Sequence, residues 1–311
     1  MGAIEEENSN NQPMSTLNTE VQDHIYHDSV QKKLKMEEIH QKQNKVELIL
    51  DTVIKSCQVI YDPLSRRNIQ QHEIKLKYYK KIYQYLSQKN AVRFILLPSL
   101  TKLIKMVELV LFRPLPPERT KFGPRPREPT VHEMGVPELK YVLPVYAILQ
   151  KMVETIDPRI LSSLLKIGFF RKFVNLFDSS DQKELATLKK LLAELYGRLV
   201  SRRNNIRTAI EEVLITLINE RFKMNGVGYL LQFFSTVISG FSQPLKEKNL
   251  RLFRSVFIPL HKVNTAHLFS PDLISCTVLF LTKDRSLIPE VKYAQNCFEM
   301  SFFEKFQNLI F

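Results

Sequence analysis

From Val46 to about Asp284, apolar residues return every three or four positions, the spacing that lays one face of a helix against a core. The pattern predicts helices at roughly 46–60, 69–88, 93–112, 137–155, 159–177, 182–201, 204–222, 226–240, 246–261 and 272–283. Turn chemistry separates them: DPLS at 62–65, a proline-rich run at 113–129, DP at 157–158, DSSD at 178–181, NG at 225–226 and SPD at 270–272. Alternate helices begin near 46, 93, 137, 182, 226 and 272, so a two-helix unit recurs every 44–47 residues. That is the period of HEAT and armadillo arrays, where a helix pair buries its apolar face only by stacking on its neighbours. The expected architecture is all-α: a HEAT/armadillo-like helical repeat solenoid (an α-α superhelix) over residues 46–291. An irregular helical domain is the alternative that the period alone leaves open. Residues 1–45 read as a polar, largely disordered extension and 292–311 as a C-terminal helix or tail.

Within this pattern LYGRLVSRRNNIR (195–207) stands out, because Arg198, Arg202, Arg203 and Arg207 have no acid beside them. Leu188, Leu192, Leu195, Leu199, Ile206 and Ile210 fall on one helical face and are expected to form the core. Tyr196, Val200, Arg203 and Arg207 recur at i, i+4, i+7 and i+11 as a second stripe, which either lines a groove or covers apolar surface with arginine stems. Farther back, KLKYYKKIYQY (75–85) interleaves bases with aromatics. Helical spacing makes Ile74, Tyr78, Ile82 and Tyr85 a core stripe and leaves the lysines in solvent, which speaks against a nucleic-acid surface. FRPLPPERTKFGPRPREP (112–129), with six prolines and five bases, reads as a long inter-repeat loop rather than a proline-motif ligand.

Charge and composition sharpen the functional class. The chain carries a formal +13, and residues 1–46 are net acidic, so the remainder is more basic still and suits an acidic protein, a nucleic acid or an anionic surface. Only 8 glycines are present, and HExxH, GxSxG, GxxxxGK[ST] and GxGxxG are absent, so neither catalysis nor a cofactor is expected. The seven histidines are scattered and none has a metal-ligand partner. Cys57, Cys276 and Cys297 sit in apolar stretches, as core thiols of a reducing compartment do. MGAIEEENSN is too acidic for a signal peptide and has Glu6 where myristoylation wants Ser or Thr. The most apolar run, 94–112, contains Lys102, Lys105 and Glu108, so membrane insertion is not expected. A soluble protein of the cytoplasm, the nucleus or both is the expectation.

One series of stretches points to a family. DPLS (62–65), FRPLPP (112–117), EPT (128–130), LFDSSD (176–181), LYGRL (195–199), ISGFSQPLKE (238–247), IPLHKV (258–263) and FLTKD (280–284) come in order and resemble the B-prime family of regulatory subunits of protein phosphatase 2A. The resemblance spans roughly 46–291. It implies a HEAT-like solenoid that docks on the phosphatase's scaffold and catalytic subunits and recruits substrates through short motifs of the type Leu-x-x-Ile-x-Glu. Carried over by position, the motif groove would be lined by Tyr196, Val200, Arg203, Phe233, Val237 and Lys246. Apolar pockets would take Leu and Ile while the cations meet carbonyls and acids. Three positions depart from the family: Ala193 and Glu194 replace a His-Arg pair that grips the motif's acidic end, and Asn249 replaces a histidine. With Glu194 expected to repel an acid, the sequence predicts a groove that reads an altered motif or none. The family's later repeats have no counterpart beyond Val291, where YAQNCFEMSFFEKFQNLIF (293–311) is apolar rather than a polar cap. The rival readings are a helical-repeat adaptor without phosphatase docking and, less favoured, a basic nucleic-acid-binding repeat protein.

Overall fold

The computed structural model describes residues 15–57, 66–88, 95–113, 115, 139–220 and 224–296. Every regular element among them is helical. In chain order these are α1 (Ser15–Cys57), α2 (Arg66–Ser87), α3 (Leu97–Leu111), α4 (Leu139–Thr155), α5 (Pro158–Leu164), α6 (Ile167–Asn175), α7 (Gln182–Arg198), α8 (Arg203–Glu220) and α9 (Val227–Ser239). Then come α10 (Glu247–Leu252), which continues through a π turn (Phe253–Phe257) to Leu260, α11 (Ser270–Lys283) and α12 (Ile288–Asn296). One layer stacks α1, α3, α4, α7, α9 and α11 in succession, and a second stacks α6, α8 and the π segment beside it. This is the two-layer helical repeat array that the period predicts. The repeat is written into the side-chain bonds as well: Gln150–Glu194, Lys189–Gln232, Asn225–Asp178, Tyr229–Gln182 and Cys276–Leu231 join residues 43–47 apart.

The core is one continuous file of Leu, Ile, Val and Phe. Phe241, Phe253, Phe257 and Phe280 meet ring to ring, and each fully buried side chain of this kind contributes about 1.5–3 kcal/mol. The π turn lies within this cluster, and its Phe253, Val256 and Phe257 are buried together. Helix starts follow their sequence signals. Asp157 precedes Pro158 and accepts from the Arg159 amide, and Asp181 accepts from the amides of Lys183 and Glu184.

Several expectations need correction. The boundary drawn at residue 45 falls inside α1, which begins at Ser15. From Gln31 to Asn44 nearly every side chain is exposed, so a run of good helix formers holds the helix there without a core. The helix expected at 159–177 is broken where Leu165 turns extended, and the change of direction lets Phe169, Phe170 and Phe173 all reach the core. The stripe assigned to α2 holds at Ile82 but is off by one position at Ile74, Tyr78 and Tyr85, the two tyrosines being half-buried. Tyr79, Ile82 and Leu86 are buried along with Lys75, whereas Ile74 is 43% exposed. The loop reading of 112–129 lies, but for residues 112, 113 and 115, outside what is described, as do Cys297 and the side chain of Cys57. Cys276 is a core thiol, pushed up to about 12 by burial.

His261 carries a pH signature. Its Nε2 lies 3.1 Å from Thr277 Oγ1, and burial holds its pKa down to about 4 from the ordinary 6.5. The folded state therefore keeps the ring neutral while the unfolded chain protonates near 6.5. His261 costs nothing above that pH, and stability is lost as pH falls from 6.5 towards 4, by up to about 1.4 kcal/mol per unit. Urea unfolding of His261→Gln at pH 7 and pH 5 is expected to show a smaller pH difference than the unsubstituted chain.

Candidate functional site

The seam between the repeats of α7–α8 and α9–α10 gathers most of the sequence-predicted groove. Tyr196 sits in the last turn of α7 because Leu192, Leu195 and Leu199 take the core positions around it. Its ring meets Phe233 of α9 edge to face at 5.3 Å. Val237 follows Phe233 by one turn, and both are buried in the seam wall, at 4% and 5% exposure.

Arg203 holds the other side of the tyrosine. Its guanidinium carbon stands 5.1 Å from the ring centroid, while Nε donates to the Tyr196 carbonyl at 2.9 Å and Nη2 to the Gly197 carbonyl at 3.2 Å. A 3-10 turn at Val200–Arg202 separates α7 from α8, so the stripe Tyr196–Val200–Arg203–Arg207 is not one helical face. Val200 is 66% exposed beside the seam. Lys246 is exposed at the N-cap of α10, and neither it nor Val200 touches the Tyr196–Phe233 pair through any bond found among the described residues.

Three of the four arginines of 195–207 find carbonyls instead of acids. Arg198 donates to the carbonyls of Glu154 and Ile156, Arg202 to that of Ser162, and Arg203 to its own helix end. Arg207 lies near Glu211, whose carboxyl burial pushes up and whose neighbours Lys248 and Arg207 pull back.

The diverged positions resolve unevenly. Ala193 is exposed on α7, and Asn249 is buried in the first turn of α10. Glu194, expected to face the motif's acid, is turned to the preceding repeat: its Oε1 accepts from Gln150 of α4 at 3.0 Å and lies 4.0 Å from Lys190. Two residues separate it from Tyr196, which on a helix is roughly the opposite side. Desolvation raises its pKa above the ordinary carboxylate value. The repulsion predicted from its charge is therefore not aimed at this seam.

Sequence reasoning missed a buried centre behind the seam. Glu184 of α7 is fully buried, and it accepts from Arg113 Nη2 at 3.0 and 3.1 Å, from Tyr146 Oη at 2.7 Å and from Ser179 Oγ at 2.6 Å. Burial and the neighbouring carboxylate push the Tyr146 hydroxyl's pKa well up, so it stays a donor. The available signal was Glu184 standing four residues before Leu188, on the apolar stripe. No group of His, Cys, Asp and Glu among the described residues is arranged to hold a metal, and no helix among them is long and apolar enough to cross a membrane.

Comparison with known proteins agrees with this architecture. Residues 34–294 match the family described as protein phosphatase 2A regulatory B subunit (B56 family). The chain belongs to that family. It is 33% identical over 251 residues to the serine/threonine-protein phosphatase 2A regulatory subunit pptr-1 of Caenorhabditis elegans, covering 78% of this chain and 44% of the relative. With the 56 kDa regulatory subunit delta isoform of Saccharomyces cerevisiae it shares 36% over 194 residues, 60% of this chain and 25% of the other. With the 56 kDa regulatory subunit alpha isoform of Mus musculus it shares 31% over 242 residues, 76% and 49% of the two chains. The chain thus spans less than half the length of these three relatives.

Proposed function

We propose that this chain is a non-catalytic regulatory subunit of protein phosphatase 2A, acting in the cytoplasm, the nucleus or both. It docks on the scaffold and catalytic subunits and recruits substrate proteins through the seam beside Tyr196. The observation that carries the reading is the assembly of Tyr196, Phe233, Val237 and Arg203 into one inter-repeat seam within the region that matches the family. An extended segment laid there meets apolar walls from α9 and the exposed cation of Lys246 at the rim. With Ala193 and Glu194 in place of a gripping pair, and Glu194 turned to α4, the motif read is an altered one that needs no acidic end.

Two measurements test this. Affinity capture with the full chain at physiological salt is expected to retain the scaffold and catalytic subunits. Capture of neither would favour an adaptor without phosphatase docking. Peptides Leu-x-x-Ile-x-Glu and Leu-x-x-Ile-x-Gln, titrated by calorimetry, are expected to bind within about threefold of each other. A glutamate peptide that binds about tenfold tighter than its glutamine twin would show that the acid is still read.

A further inference from the structure

α1 outruns the array it belongs to. Leu50, Val53 and Ile54 are buried, and Glu47 and Asp51 reach Lys102 of α3, so the helix is held by its neighbours from about Glu47 onward. Upstream of that hold, residues 15–45 add about 45 Å of helix. The apolar stripe does not stop where the core does. Met36, Ile39 and Gln43 continue the line of Val46, Leu50 and Val53 at alternating steps of three and four. Leu17, Val21 and Ile25 return to the same side of the helix at steps of four. Leu34 and Met36 are exposed.

The charges along this free length are sorted. Residues 15–31 hold Glu20, Asp23 and Asp28 and neither lysine nor arginine. Residues 32–45 hold Lys32, Lys33, Lys35, Lys42 and Lys45 against Glu37 and Glu38. Those five lysines are exposed and meet no carboxylate among the described residues. Away from the junction at Asp28 and Lys32, the two halves cannot meet inside one chain, because α1 is one continuous helix. A second copy running the opposite way lays each acidic half along a basic half, and both matches form at once, as a two-fold axis requires. A parallel copy would set acid on acid and lysine on lysine.

We propose that residues 15–45 of α1 are a self-association surface, through which two copies of the chain pair antiparallel about an axis near Val30. In that register Ile39 of each copy lies against the other's Val21, Met36 against Ile25 and Asp28 against Lys32. The free length is about four heptads, enough for a two-stranded coil. Ser29, Lys32 and Gln43 interrupt the stripe with polar groups, which lowers affinity and fixes register. The pairing joins two arrays in one particle and depends on neither the seam nor phosphatase docking.

Sedimentation of the full chain is expected to show a dimer at about 50 µM and mostly monomer at about 0.5 µM. Met36→Lys combined with Ile39→Lys lies outside the array's core and is expected to weaken the dimer about tenfold or more, with thermal unfolding of the array unchanged. A chain that stays monomeric at the higher concentration, its α1 face bare or covered by another segment of the same chain, would overturn the proposal. So would a dimer that the double substitution leaves intact.

Charge exchange guards against a variant that merely folds badly. Lys32→Glu, Lys33→Glu and Lys35→Glu together make both halves net acidic, and Glu20→Lys, Asp23→Lys and Asp28→Lys make both net basic. Each set alone is expected to be monomeric. Their equimolar mixture is expected to restore a one-to-one dimer that salt weakens. A mixture that stays monomeric would overturn the charge pairing. Direction is read in the unsubstituted chain by spin labels attached without cysteine chemistry to Gln31 or to Asn44, both exposed. The two copies' labels are expected within about 20 Å at Gln31 and about 40 Å apart at Asn44, from the rise per residue. Short distances at both positions would mean a parallel pair and overturn the antiparallel arrangement.

Discussion

Glu184→Ala is expected to destabilise the chain by about 3–5 kcal/mol, because it takes the carboxylate away from a buried guanidinium. Arg113 faces the carboxylate with both nearest bonds at 3.0 and 3.1 Å, and its side chain is only 13% exposed. Tyr146 and Ser179 lose their acceptor in the same step. The four groups come from the end of α3, the middle of α4, the turn before α7 and the first turn of α7, so the damage reaches three consecutive repeats. Thermal unfolding is expected to fall by on the order of 10 °C. Tyr146→Phe, which removes one donor and leaves the ion pair intact, is expected to cost only about 1 kcal/mol. A Glu184→Ala loss no larger than that of Tyr146→Phe would show that the pair contributes specificity of packing rather than stability.

Gly226→Ala is the second large effect. Gly226 caps the start of α9 with an ordinary backbone, φ −94°, so its need is for space and not for left-handed geometry. A methyl there would press on the Phe177 carbonyl oxygen and come within 2.8 Å of Leu185 Cδ2. Neither neighbour gives way cheaply, because the first is backbone and the second is fully buried. The expected cost is about 3 kcal/mol, read by urea unfolding. The same push lifts the start of α9 from Asp178 and Gln182, which closes the seam at that end. Phe233 and Val237 ride on the displaced helix, so peptide affinity is expected to fall together with stability. Gly168→Ala, with open space where a Cβ would stand, is the matched control and is expected to be near neutral.

Much of the array was legible in the chain. Repeat length, layer assignment and most helix ends follow from apolar spacing and from Asp-Pro, Asp-Ser and Asn-Gly turns, all of which are local. What failed was settled by contacts between repeats. The break at Leu165 has no breaker residue, since it exists to aim Phe169 and Phe170 inward. The shift of the α2 face came from Lys75, whose stem can lie buried while its charge finds a partner, so polarity misled the face assignment. For the seam, the family resemblance named Tyr196, Phe233 and Val237, and the fold brings Tyr196 against Phe233 with Val237 one turn on, because each side chain's place on its helix is fixed by the core beside it. The bonds of Arg203 to the Tyr196 and Gly197 carbonyls, and of Glu194 to Gln150, were not legible, because a long side chain's partner depends on what the fold brings near its tip. The unpaired arginines of 195–207 are the clearest case: carbonyl partners leave no mark in the sequence of side chains.

Most of the bridges beyond Leu149 span 36–47 positions, the longer Arg113–Glu184 pair apart, and the aromatic cluster likewise stays within adjoining units. Distant parts of the rod are therefore coupled only through what lies between them. A lesion in one unit uncouples the stretches on either side, which then melt as separate blocks. Amide exchange after Gly226→Ala is expected to quicken near Phe177 and Val227 while Leu149 and Leu281 keep the protection they had before.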